Sequence, residues 1–171
     1  MSGIKYIDEV SLSHKRILIR VDFNVSLNPN HTIADDARIK QSIPTLEYLL
    51  KRHNKLILIA HLGQPEKRNP ADSLKRIAKR LHQYLPHHHI LLVDDFLKDT
   101  HKITQQKENE ILLLENIRFY SGEQENDPEF TEDNFSLEGA LTLFKKANNL
   151  EEFEKSINEE NNDFIKIASY L

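Results

Sequence analysis

Arg16-Ile-Leu-Ile-Arg-Val-Asp-Phe-Asn24 runs from an apolar core straight into an acid, a phenylalanine and an amide. The apolar part, Arg16 to Val21, is of strand length. Its continuity without alternation marks a strand buried on both faces, as in a parallel sheet covered by helices. Three more runs of the same kind follow: Leu56-Ile-Leu-Ile-Ala60, Ile90-Leu-Leu-Val93 and Ile111-Leu-Leu-Leu114.

Helix-length segments separate these runs. From Asp36 to His53, apolar side chains recur at three- and four-residue spacing (Ile39, Ile43, Leu46, Leu49, Leu50), with acids at the start and Lys51, Arg52 and His53 at the end. That charge order suits the helix dipole. The stretch Asp72 to Leu85 repeats the pattern through Leu74, Ile77, Ala78, Leu81 and Leu85, with Asp72 as the expected cap and Pro86 just beyond. Strand and helix therefore alternate, which predicts right-handed crossovers. The expected fold is α/β, a three-layer αβα arrangement with a mostly parallel, Rossmann-like sheet.

In such sheets ligands sit at the carboxyl ends of the strands. The residues there are Asp22-Phe23-Asn24, His61-Leu62-Gly63-Gln64, Asp94-Asp95 and Glu115-Asn116-Ile117-Arg118. Each also has a structural reading. Asp22 is placed to pair with Arg38 or Arg118, Gly63 to make a turn, and Asp94-Asp95 reads as structural.

Composition narrows the chemistry. Residues 1–120 carry 19 Lys and Arg against 14 Asp and Glu, whereas residues 121–171 carry 4 against 13. A mildly basic body suits a small anion, while nucleic-acid binding calls for a denser basic stripe with interleaved aromatics. Lys75-Arg76 and Lys79-Arg80 read as a solvated helix face. Without cysteine there are no disulfides and no thiolate chemistry. His87-His88-His89 enters a strand, where successive side chains point to opposite faces and cannot converge on one metal ion. No signal-like start and no membrane-length apolar run occurs, so the expected location is the cytoplasm, with no membrane partner.

Five blocks in order, Arg16–Val25, Ile33-Ala-Asp-Asp-Ala-Arg-Ile39, His61-Leu-Gly-Gln-Pro65, Val93-Asp-Asp95 and Leu112-Leu-Leu-Glu-Asn-Ile-Arg-Phe119 with Gly122-Glu123 behind it, resemble the amino-terminal domain of phosphoglycerate kinases. The resemblance covers residues 1–130. It implies a two-domain glycolytic kinase that moves a phosphoryl group between 1,3-bisphosphoglycerate and ADP. In that family the amino-terminal domain binds 3-phosphoglycerate and the carboxy-terminal domain binds Mg-ATP or Mg-ADP. Carried over by position, Arg38 resembles the catalytic arginine. Asp22, Phe23, Asn24, Arg38, His61, Leu62, Gly63, Gln64 and Arg118 resemble the substrate-binding set, with no metal ligand among them. A guanidinium suits such a role, because phosphoryl transfer needs positioning and charge stabilisation above all.

The pattern departs from the family in three places. Gln64 stands where the family usually has an arginine, and Lys67 and Arg68 are the nearby candidates to supply the missing charge. After Gly122-Glu123, residues 131–160 read as an acidic, helical insertion, with amphipathic spacing over 133–150 and 150–158; residues 161–171 are then expected to resume a family helix through Ile165, Ala168 and Leu171. The sequence as given ends before the family's hinge and nucleotide domain, and its four glycines, at 3, 63, 122 and 139, build no phosphate loop. The expectation is a chain with part of the phosphoglycerate site that binds no cofactor and is inactive in isolation. A separate carboxy-terminal half would be its partner. The alternative is a non-catalytic interaction module derived from the same domain.

Overall fold

The computed structural model describes residues 11–120 and the backbone of 164–168. In chain order the elements are β1 (Arg16–Arg20), the short pair β2 (Ser26–Leu27) and β3 (Ile33–Asp35), α1 (Ala37–Leu50), β4 (Lys55–Ile59), α2 (Lys75–Tyr84), β5 (His89–Val93), α3 (Thr100–Thr104), β6 (Glu110–Leu114) and β7 (Phe164–Ala168). Two single 3-10 turns, Pro70–Asp72 and Ile117–Phe119, precede α2 and follow β6.

The main sheet is parallel, in the order β5-β6-β4-β1-β7, while β2 and β3 form a separate antiparallel pair. Strands β1 and β4 pair from Arg16 opposite Lys55 to Arg20 opposite Ile59, so their carboxyl ends finish level. The steps from β1 to β4 and from β4 to β5 run the same way across the sheet; the step from β5 to β6 runs back. Right-handed crossovers then place α1 and α2 on one face and α3 on the other.

Side-chain alternation along the strands divides the core in the same way. On one face Ile17, Ile19, Leu56, Leu58, Ile111 and Leu113 bury against Ile39, Leu46 and Leu49 of α1, against Ile77 and Leu81 of α2 and against Leu74 just before it. On the other, Leu18, Ile57, Ile59, Leu112 and Leu114 pack with Phe96, Ile103 and Ile117. Burying each such aliphatic side chain is worth about 1.5–3 kcal/mol. The double-faced burial read from the apolar runs therefore holds for β1, β4 and β6, which lie inside the sheet.

Four expectations need correction. The run at Ile90 is an edge strand, and Leu91 remains 39% exposed, because an edge strand is paired and covered less completely than its neighbours. Helix α2 starts at Lys75, later than Asp72: Asp72 closes the preceding 3-10 turn, and the amide just before the helix, Leu74 N, donates to a carboxylate distant in sequence, Glu115 Oε1, at 2.8 Å. Helix α1 stops at Leu50; the chain behind it turns, and His53 takes a positive φ of 59°.

The fourth correction concerns the carboxy-terminal segment. Residues 164–168, expected as helix, form β7, in parallel register with β1 from Arg16 opposite Phe164 to Arg20 opposite Ala168. A strand in that slot satisfies the outer backbone groups of β1, a demand that helical spacing within the segment does not register. The helices expected over 133–158 and the Gly122-Glu123 block lie outside the described residues. No helix of the described residues is long and apolar enough to cross a membrane.

Candidate functional site

Immediately after β1 the chain stays extended only as far as Val21, and then Asp22 folds it: Asp22 Oδ1 accepts the Asn24 amide at 3.0 Å. The same carboxylate takes Arg38 Nη1 on its other oxygen. Arg38 sits in the first turn of α1, with its side chain 51% exposed, at a cleft of about 320 Å³ lined by Asp22, Asp35, Ala37, Arg38, Gln41 and Ser42. Of the two pairings open for Asp22, the structure makes the one with Arg38. That ion pair occupies one edge of the planar guanidinium and leaves donors facing the cleft.

Asn24 reaches the neighbouring loop. Its Oδ1 accepts the Gly63 amide at 2.9 Å, which leaves Nδ2 as the donor end. Gly63 adopts φ +65°, a backbone conformation that calls for glycine; a Cβ there would also lie 3.1 Å from Asp72 Oδ1, a tight contact that the Asp72 side chain would have to relieve. Its carbonyl accepts from Arg118 Nη1 at 2.7 Å. Arg38, Asp22, Asn24, Gly63 and Arg118 thus form one hydrogen-bonded chain across the carboxyl ends of β1, β4 and β6.

The other expected residues divide. His61 is half-buried and Gln64 exposed on the same loop. Phe23 and Leu62 have fully buried side chains in the core beneath the site, so only their backbones are available to a ligand. Arg68 does not supply the charge that Gln64 lacks: it turns to Asp94, bonding the carboxylate at 2.5 Å and the backbone carbonyl at 3.0 Å, and lies over the Phe119 ring. Asp94 and Asp95 act structurally. Tyr120 donates to Asp95 at 3.1 Å, and burial, then the adjacent carboxylate, push its hydroxyl well above the usual range, so it stays a donor.

Glu115 and Asn116, beneath this chain, stood among the strand-end residues of the sequence but had no role assigned to them. Glu115 is buried and accepts from Ser73 Oγ at 2.7 Å and from the amides of Leu74 and Asn116 at 2.8 and 2.9 Å. Asn116 holds Leu62 and Asp72 by their carbonyls. The available signal was an acid and amide following an apolar strand with no glycine between, which reads equally as loop.

Asp36, expected to favour the α1 dipole, instead joins the two helices. It accepts Tyr84 Oη at 2.5 Å, Arg80 at 2.7 Å and Lys40 at 2.9 Å. The Tyr84 hydrogen bond first, and then that of Lys40, hold its carboxyl down at about 2.

Residues 7–141 match the family described as phosphoglycerate kinase. The chain is 43% identical over 138 residues to the phosphoglycerate kinase of Helicobacter pylori, covering 80% of this chain and 34% of that protein. It is 42% identical over 135 residues to that of Aquifex aeolicus, with 78% and 34% covered. The phosphoglycerate kinase structure from Pyrococcus horikoshii superposes with a TM-score of 0.68 at 27% identity, covering 81% of this chain and 34% of that one. The structure from Coxiella burnetii gives 0.62 at 31%, covering 72% and 30%. The chain spans about a third of the length of the curated relatives it matches. With the parallel αβα sheet, the ordered motifs and this match over most of the sequence, the chain belongs to the phosphoglycerate kinase family, corresponding to its amino-terminal domain.

Proposed function

We propose that this chain forms the phosphoglycerate-binding side of the family's reaction, glycolytic phosphoryl transfer between 1,3-bisphosphoglycerate and ADP, in the cytoplasm. The observation that carries the reading is the single hydrogen-bonded chain from Arg38 through Asp22, Asn24 and Gly63 to Arg118. It brings two guanidinium groups, a carboxylate and an amide donor to one end of the sheet. The Asp22 carboxylate accepts a substrate hydroxyl, Asn24 Nδ2 donates to the substrate carboxylate, and Arg38 faces the phosphoryl oxygens. A charge-assisted, planar fork is the donor that a phosphoryl group spread over three oxygens takes best. Asp22 keeps Arg38 in place before the ligand arrives, which lowers the ordering cost of binding.

We place the family's magnesium-bound nucleotide on the carboxy-terminal half, as the family resemblance implies. No step through the nucleotide is assigned to this chain; transfer requires a carboxy-terminal half, continuous with it or separate.

Calorimetric titration of the chain with 3-phosphoglycerate tests the reading. The expected result is saturable one-to-one binding, weakened tenfold or more by Arg38→Ala, as the loss of a charged hydrogen bond of about 1.5–3 kcal/mol requires. Absence of saturable heat from the folded chain would overturn it.

A further inference from the structure

Asn116 is 0% exposed, yet every polar atom of its side chain is used. Nδ2 donates to Leu62 O at 2.7 Å and to Asp72 O at 2.9 Å, and Oδ1 accepts the Arg118 amide at 3.1 Å. These three partners belong to different segments: the loop after β4, the turn before α2, and the loop after β6. Two of them adjoin ligand-facing groups. Leu62 O precedes Gly63, whose amide holds Asn24; the Arg118 amide anchors the residue whose guanidinium holds the Gly63 carbonyl. The Gly63 peptide is therefore fixed at its amide by Asn24, at its carbonyl by Arg118, and through the preceding carbonyl by Asn116.

We infer that Asn116 is a positioning residue of the phosphoglycerate site, one that touches no ligand and sets the Gly63 loop and Arg118 on which Asn24 depends. The inference rests on the functional reading above. Its chemistry follows from satisfaction: removing the amide takes a partner from the buried Leu62 carbonyl, from the part-buried Asp72 carbonyl and from the Arg118 amide, and leaves the Leu62-Gly63 peptide held by Asn24 alone.

The fold carries its own control. Asn54, 2% exposed, makes the same set of bonds at the opposite end of the sheet: Nδ2 to Leu12 O at 3.1 Å and Leu49 O at 2.8 Å, Oδ1 from Lys15 N at 2.8 Å. It differs from Asn116 in location, and none of its partners adjoins the site. If Asn116 serves stability alone, the two asparagines are equivalent.

The test measures the affinity of the full chain for 3-phosphoglycerate by amide NMR titration, well below the melting temperature, for the unaltered chain, Asn116→Ala and Asn54→Ala. The expected result is a comparable loss of melting temperature in both variants, a tenfold or greater loss of affinity in Asn116→Ala, and affinity within twofold of the unaltered chain in Asn54→Ala. Equal affinities in the two folded variants overturn the inference while leaving the site assignment standing. Should Asn116→Ala not fold, the side-chain amide resonances of Asn116 in the unaltered chain decide: they shift with the same affinity as the Gly63 amide if the residue positions the site, and unshifted resonances overturn the role. An unaltered chain that shows no saturable shift overturns the site itself, and this role with it.

Discussion

At the amino ends of the strands the polar groups close on backbone and stop there: Asn54 ties Leu12, Lys15 and Leu49, while Gln106 binds Leu56 O and receives Lys55 on its own carbonyl. At the carboxyl ends, Asn116 makes the same kind of bonds, but its partners pass the connection on through Gly63, Asn24 and Asp22 to Arg38, whose side chain is half exposed. Most polar groups at both ends are bonded, the buried Gln106 Oε1 at the amino end being an exception among the described residues, so hydrogen-bond satisfaction does not single out the carboxyl end as the site. The difference is in what remains unspent. One end finishes in buried contacts to backbone, and the other in charged and amide donors at the mouth of a cleft.

The largest expected effect separates core from site within the motif after β1. Phe23→Ala removes a fully buried ring and should cost about 3–5 kcal/mol in urea unfolding. It should leave the ligand affinity of the folded fraction close to that of the unaltered chain; a specific loss of affinity at unchanged stability would show the ring contributing to binding. Next come the paired asparagines. Asn54→Ala and Asn116→Ala should each cost about 1–3 kcal/mol, since each strands buried partners. Unequal costs would break the symmetry on which the comparison stands.

The smallest effect is one of pH. The Asp36 carboxyl is held down at about 2 from its ordinary 3.8, so it binds protons less readily folded than unfolded. Its contribution is fully present above about pH 4 and is lost as pH falls through its folded value. Asp36→Asn should therefore lower stability by about 1–2 kcal/mol near neutrality, an advantage of the acid that shrinks on acidification through that window. A gap between the two unfolding curves that stays constant down to pH 2 would contradict the bonds drawn to Tyr84, Arg80 and Lys40.

The sheet was legible because its strands are continuous apolar runs that no surface element would carry: β1, β4 and β6 lie within a residue of the runs beginning at Arg16, Leu56 and Ile111. Local spacing also found α1 and α2, though the amide just before α2 bonds Glu115, about forty residues further on, which no local rule sees. The same blindness hid the two asparagine clamps and the cross-helix bonds of Asp36. For β7 the spacing favoured a helix, and pairing with β1 prevailed. Family resemblance named Asp22, Phe23, Asn24, Arg38, His61, Leu62, Gly63, Gln64 and Arg118 as candidates; that Arg38, Asp22, Asn24, Gly63 and Arg118 share one hydrogen-bonded chain is a tertiary fact. Phe23 and Leu62 turn their side chains into the core, and Arg68, near Gln64 in sequence, pairs with Asp94, contacts that sequence proximity does not reveal.

The central claim is that the carboxyl end of this sheet is a phosphoglycerate site and the amino end is scaffold. Amide NMR of the full chain during titration with 3-phosphoglycerate addresses both ends at once. The account predicts saturable shifts with a common affinity at Asp22, Asn24, Gly63, Arg38 and Arg118, and none at Leu12, Lys15 or Asn54. Shifts of equal size at both ends, or none at the carboxyl end of the folded chain, would contradict it.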